Sequence, residues 1–412
     1  MIRPLTSICL ATTAIAQGTY VVDIANGPGT NYTQIQAAVT AVPNGSVLRV
    51  RQGIYAPVTV SGKAIAILCD AGARVGDPTL PFLRIQGTQS NQPVLVQGLV
   101  PTVGTPGAQI TNANGPVIHD GSGQVVQATM TQFSASATVV ISNSLQVAIR
   151  NATILGGVSS GPSAVNGIAY EACNVVASTV TIETCTLRGM NASSTIGGFS
   201  PGRPGLVAAN SRIMLTGCTI AGGNGVMSPP PFPTPGGAAI SSSSCLLHVR
   251  GDSLANLTGG VAPGYSTIPP TQYPAIAGTG SLWIDPAVQL TGTVATTLAT
   301  TTAAMPRMAA SVGVIGGILF ARRDGPPGTF SAVALSLPAA ATTTPGIADP
   351  IWLDGTNFFV ATFGIAPANG LSTTINVPNQ PSLAGFLLAW QAADFGPNGI
   401  AAVSNPSLTF LR

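Results

Sequence analysis

Charge is what this sequence has least of. Asp, Glu, Lys and Arg make up 7% of its 412 residues, against about 25% in ordinary soluble domains, and Lys63 is its single lysine. Few ionisable groups means few candidates for acid, base or metal-ligand chemistry. The net charge of +3 comes from scattered arginines, with no cluster able to follow a phosphate backbone, which excludes nucleic acid as a partner. Long apolar runs are missing too. Leu5 to Ala14 and Met308 to Phe320 both fall short of the roughly 20 residues that a spanning helix needs, so no transmembrane helix is expected, and the second reads as a pair of buried strands. The 6 cysteines show no Cys-x-x-Cys spacing, so neither a zinc site nor any other cofactor is expected.

What is there begins with Met-Ile-Arg, an apolar stretch, and Ala14-Ile15-Ala16 before Gln17. This is the pattern of a signal peptide over residues 1–17 and implies a secreted or cell-surface protein. Cleavage would leave Cys69, Cys173, Cys185, Cys218 and Cys245, an odd number.

A repeat fixes the architecture. Val147-Ala-Ile-Arg-Asn-Ala-Thr-Ile154, Val180-Thr-Ile-Glu-Thr-Cys-Thr-Leu187, Ile213-Met-Leu-Thr-Gly-Cys-Thr-Ile220 and Leu247-His-Val-Arg-Gly-Asp-Ser-Leu254 superpose, and Leu282-Trp-Ile-Asp-Pro286 follows more loosely. Within each, apolar residues alternate with outward ones, which is strand periodicity. Such a unit cannot bury its apolar face alone; stacking successive units at roughly 4.8 Å builds a continuous core. The register predicts Ile149, Ile182, Leu215, Val249 and Ile284 inward, with Arg150, Glu183, Arg250 and Asp285 outward. It also aligns Thr153, Thr186, Thr219 and Ser253, and Ile154, Leu187, Ile220 and Leu254. The Gly, Ser and Pro stretches between repeats share one phase and are expected on one side.

Upstream, Ile35, Ala38, Val39 and Val42 sit at helical spacing. The order Ile-Gln-Ala-Ala-Val, Asn-Gly, Leu-Arg-Val-Arg-Gln-Gly-Ile-Tyr, Val-Thr-Val, Lys-Ala-Ile resembles the opening of the pectin-lyase-like superfamily over about residues 30 to 292. That resemblance implies a right-handed parallel β-helix whose N-terminal cap helix plugs the first open coil. After about Thr293 the repeat stops. Short apolar runs at Ile351-Trp352-Leu353, Phe358-Phe359-Val360, Ile375-Asn376-Val377, Phe386-Leu387-Leu388 and Leu408-Thr409-Phe410, separated by turns, predict a small β-sandwich domain over 294–412 after a β-helix over 18–293. The stretch from Ile375 through Val403-Ser-Asn405 looks like a module found on secreted bacterial β-helix proteins. The expected fold class is therefore all-β.

No catalytic constellation assembles. Several enzymes of the superfamily act on acidic polysaccharides, but Gly202-Arg203-Pro204 is followed by Gly205, which is half of the pectin methylesterase motif. Glu183 and Asp285 share a column three coils apart, about 14 Å, beyond the roughly 5 to 9.5 Å of paired-carboxylate glycosidases. Arg150 with Glu183, and Arg250 with Asp285, read as surface ion pairs between neighbouring rungs. Met214, His248 and Trp283 fill the next outward column. With Arg250 and Asp285 they form a strip of aromatic, cationic and acidic groups of the kind a sugar face prefers, overhung by the loops Pro229 to Gly237 and Gly259 to Tyr273. The competing reading packs Trp283 beneath a loop or the C-terminal domain. Cys185 and Cys218 sit at equivalent positions on adjacent coils, about 5 Å apart at Cα, inside the disulfide range although their side chains leave in parallel; with Cys173 and Cys245 three pairings are open. Two functional classes survive. One is a non-catalytic carbohydrate-binding or surface-structural protein, with an extracellular polysaccharide or cell-surface glycan as partner. The other is a polysaccharide lyase or hydrolase. Nothing in the sequence bears on oligomeric state.

Overall fold

A computed structural model describes residues 18–77, 79–102, 105–130, 137–159, 169–195, 198–228, 232–251, 254–265, 268–344, 347, 349–397 and 399–412. The expected signal peptide, 1–17, lies outside them. Among the described residues the chain is all-β apart from the short helix Ile35–Ala41 and a single 3-10 turn at Pro381–Leu383.

Parallel ladders of three kinds build the first part, two of them in one sheet and the third split between a 3-stranded sheet upstream and a 6-stranded one downstream. The second, which holds the repeat, stacks Val147–Arg150, Thr179–Glu183, Arg212–Thr216, the end of Ile240–Arg250 and the end of Ile276–Ile284, with Val147, Val180, Ile213, Leu247 and Leu282 in register. Upstream it continues through Val117–Asp120, Val94–Gln97 and Ile65–Cys69 to Ser46–Val50. A first ladder, from Val58–Ser61 onward, precedes it in each coil and belongs to the same 17-stranded sheet. A third follows it, the 6-stranded sheet that includes Thr153–Ser159, Thr186–Arg188 and Thr219–Ala221. This is a parallel β-helix. Ile149, Ile182, Leu215, Val249 and Ile284 point into its core, as the period of two requires. Ile35, Ala38 and Val39 of the helix pack in the same core.

Two details differ from expectation. In the fourth coil Thr219 pairs with Asn256 and Ile220 with Leu257, so Leu254 does not join the Ile220 column and is 70% exposed; Ser253 lies outside the described residues. The earlier coils turn this corner on one left-handed residue, Asn151, Thr184 or Gly217. Gly251 lacks that conformation, and the chain spends three more residues before Ala255 enters the core. The ladder also runs past Thr293: Leu298–Thr302 pairs in parallel with Gly280 to Ile284.

Among the described residues, the remainder forms two antiparallel sheets. One holds Arg307–Ala310, Ile318–Asp324 and Leu371–Asn376. The other, 5-stranded, runs Ile351–Ile365, Phe330–Thr342, Leu387–Gly396 and Gly399–Val403, with Ser407–Phe410 also on Leu387–Gly396. Leu388, Trp390, Ala392, Val333 and Leu335 of the larger sheet share an apolar cluster with Met308, Ala310, Leu319 and Ala321 of the smaller.

Candidate functional site

The outer face of the second ladder is where the sequence placed a site, and its register builds two columns there. Val47, Ala66, Leu95, Ile118, Ala148, Thr181, Met214, His248 and Trp283 form one. Most of these are apolar although they point away from the β-helix core. Val47, Ala66, Leu95, Ile118, Ala148 and Met214 are buried in one cluster with Trp352, Leu387, Ala389, Leu408 and Phe410. The 5-stranded sheet lies on this stripe, so the ladder is covered on both faces.

The second column carries charge. Asp120, Arg150, Glu183, Thr216 and Arg250 follow one another on successive rungs, and all are buried. Their outward direction is as expected; residues of the C-terminal part of the chain lie against them. Arg150 Nε lies 3.7 Å from Asp120, and its guanidinium donates to the carbonyls of Leu408 and of Ala310, the latter at 3.1 Å. Asn405 Nδ2 and Ser407 Oγ donate to the Glu183 carboxyl, each at 3.3 Å. Arg250 Nε donates to Pro306 O at 2.9 Å and its Nη2 pairs with Asp349. Asp349 also holds His248 Nδ1 at 2.6 Å. The two ion pairs anticipated from the repeat give way to others: Arg150 Nε approaches Asp120 on the preceding rung and Arg250 pairs with Asp349, while Glu183 takes its hydrogen bonds from Asn405 and Ser407. Asp285 accepts instead from the backbone of Ala287 at 2.9 Å and Met305 at 3.2 Å.

Burial sets the electrostatics. It pushes the Glu183 carboxyl up to about 7, against the opposing pull of Arg150, Asn405 and Ser407. Burial also raises Asp349, but the charge of Arg250 and the bond to His248 outweigh it and hold that carboxyl below its usual value.

The structure therefore brings Met214, His248, Arg250, Trp283 and Asp285 together, but not as an open groove. Met214, His248 and Arg250 are buried, while Trp283 and Asp285 keep partial exposure. Trp283 meets the His248 ring edge-on, with centroids 6.2 Å apart. In chain order both loops fall between a strand of the third ladder and the next strand of the first, not beside the second ladder that carries the strip. Parts of them, including Pro229 to Pro231, lie outside the described residues. No disulfide joins Cys185 to Cys218. Both point into the core from adjacent rungs, and each thiol donates to a carbonyl, Cys185 to Glu183 O and Cys218 to Ile182 O, both at 3.2 Å; parallel Cβ directions keep the sulfurs from the geometry a bond requires. No group of three or more His, Cys, Asp or Glu that could hold a metal occurs among the described residues. An open hollow of about 440 Å³ lies at the corner between the first and second ladders, lined by Leu145, Thr179, Asn210, Arg212 and Leu246 among others.

Sequence reasoning missed Asp349, Asn405 and Ser407 as partners of the ladder. The signal that they exist is in the strands themselves. Ile65-Ala-Ile-Leu, Val94-Leu-Val and Val147-Ala-Ile are apolar at consecutive positions, which marks a strand buried on both faces.

A scan against family models finds no match, and a search of curated proteins finds none. Among solved structures the chain is similar to full-length tailspike protein 2 from Escherichia coli O157:H7 bacteriophage CAB120, at 10% identity and a TM-score of 0.26, over 88% of this chain and 62% of that one. The chain thus spans less than two thirds of that protein's length, and a TM-score so low has no bearing on function.

Proposed function

We propose that this is a secreted or cell-surface protein with a structural or adhesive role rather than a catalytic one: a right-handed β-helix of the pectin-lyase-like kind, plugged by its N-terminal helix and carrying a C-terminal β-sandwich. The observation that carries this reading is where the scarce charges go. Arg150, Glu183 and Arg250 are spent on fastening the C-terminal domain to the ladder, which favours a rigid two-part scaffold over a cleft that admits and turns over a chain. Incubation with a panel of neutral and acidic polysaccharides, read by reducing ends and by the absorbance of unsaturated products, is expected to give no release above blank. Sustained release that scales with protein would overturn the proposal and favour the lyase or hydrolase alternative.

An extracellular polysaccharide or cell-surface glycan remains the proposed partner. Trp283 is the member of the strip that keeps both an aromatic ring and partial exposure, beside Asp285. Trp283→Ala is expected to remove binding on a glycan array. Unchanged binding would detach the glycan from this strip, and an array with no signal from the parent protein would leave the structural role alone.

A further inference from the structure

The 5-stranded sheet buries only part of one face on the β-helix. Its register places Phe330 opposite Ile365 and Phe395, Ala332 opposite Phe363, and Phe395 opposite Ile400. Directly opposed residues share a face. Two-residue steps along Leu387–Gly396 then put Phe395 on the same face as Leu387 and Ala389, which dock on the β-helix. One face of one sheet is therefore buried at one end and bare at the other.

The bare end is apolar. Ile365 is 70% exposed, Phe363 62% and Phe330 46%. The rings of Phe330, Phe363 and Phe395 form a cluster, with centroids 5.8 Å apart for Phe330 and Phe395 and 6.4 Å for Phe330 and Phe363. A group of large exposed apolar side chains this contiguous marks an interaction surface rather than ordinary scatter. Beside it runs Ile351–Ile365, a 15-residue strand at the outer end of the sheet order, and a long apolar edge strand is a template for pairing with another chain.

We infer that this exposed face of the C-terminal sheet is a self-association surface, covered in solution by the same face of a second copy of the chain about a twofold axis. Continuity with the interdomain contact argues for it: the same sheet face already buries itself on a flat, apolar surface of this chain. A second copy supplies another such surface, uncharged, so that no ion is desolvated on contact. Twofold pairing is self-complementary, setting Phe330, Phe363 and Ile365 against their counterparts. A polar glycan would gain little from this surface.

Sedimentation velocity of the purified chain from low to high micromolar concentration tests the inference. The parent is expected to sediment as a dimer. The double variant Phe363→Ser, Ile365→Ser is expected to be a monomer with a nearly unchanged melting temperature, because both side chains are exposed. Ile54→Ser, which removes a 62% exposed residue from the β-helix instead, is expected to stay dimeric. Association should persist in 0.5 M NaCl. A parent that is monomeric throughout, a double variant that still dimerises, or a monomer that sediments with phosphatidylcholine vesicles would each overturn the proposal, the last by assigning the face to a lipid surface.

Discussion

Burial pushes the Glu183 carboxyl up to about 7, while in the unfolded chain it titrates near 4.3. The folded state therefore holds a proton that the unfolded state has released across that window. This contribution to stability is fully present below about pH 4.3, is lost as pH rises towards 7, and is flat above it. Glu183→Gln removes the dependence, and denaturant titrations of variant and parent should diverge in the variant's favour by roughly 2 to 4 kcal/mol between pH 4.5 and 8. Equal differences at both pH values would show that Glu183 ionises as freely in the fold as outside it. His119 acts in the opposite sense. It is buried with its ring edge-on to Phe82, centroids 6.2 Å apart, and burial lowers its pKa, so its share of stability is present above about pH 6.5 and is lost as pH falls below that. The parent's own pH profile mixes the two, which is why the comparison must be made against the variant. Asp349 offers a test without titration. Asp349→Ala leaves Arg250 and His248 buried without their carboxylate, and breaking a buried pair from one side costs about 3 to 5 kcal/mol. A shift in unfolding midpoint under 1 kcal/mol would mean that water or another acceptor takes the place of Asp349 at little cost.

At the scale of the strand and its corner, the repeat was legible because the requirement it meets is local. Val147, Val180, Ile213, Leu247 and Leu282 stack in one column, and period two then assigns every inward residue. The fourth-coil corner was not legible, because Arg-Gly-Asp-Ser-Leu reads like its predecessors until one knows that Gly251 does not turn left-handed where Asn151, Thr184 and Gly217 do. The destination of Arg250 was hidden for a different reason: Asp349 lies 99 residues away in sequence, and no local pattern connects them. What the strands did hold was the double-sided apolar run, and it implied a cover without naming one. The corner column also carries a prediction. Thr184 is β-branched, exposed and at φ 52°, a conformation that costs an ordinary L-residue roughly 1 to 2 kcal/mol and Asn less. Thr184→Asn, which copies Asn151 one coil earlier, should raise the stability by about 0.5 to 1 kcal/mol. A lower melting temperature would mean that the hydroxyl or methyl of Thr184 holds the corner in some other way.

For the molecule as a whole, the β-helix and the C-terminal sheets are layers of one structure rather than beads on a linker. The β-helix presents an apolar stripe from Val47 to Met214, the 5-stranded sheet covers it with Leu387, Ala389, Leu408 and Phe410, and the smaller sheet covers the far side of that one through Trp390 and Leu388. Each layer is stable because the next removes its second face from water, at roughly 25 cal/mol per Å² of apolar surface. A chain ended at Thr302 keeps the complete second ladder but uncovers the stripe and strips Arg150, Glu183 and Arg250 of Ala310, Asn405, Ser407, Pro306 and Asp349. Its strands remain paired, so far-ultraviolet circular dichroism should keep its β signature. The bared side chains should bind a hydrophobic dye and draw copies together. The expected outcome is therefore a β-rich product that fluoresces with 1-anilinonaphthalene-8-sulfonate and sediments as aggregate, while the full chain does neither at the same concentration. A soluble, dye-silent monomer ending at Thr302 would show that the stripe tolerates water, and that the C-terminal domain sits on a β-helix which does not need it.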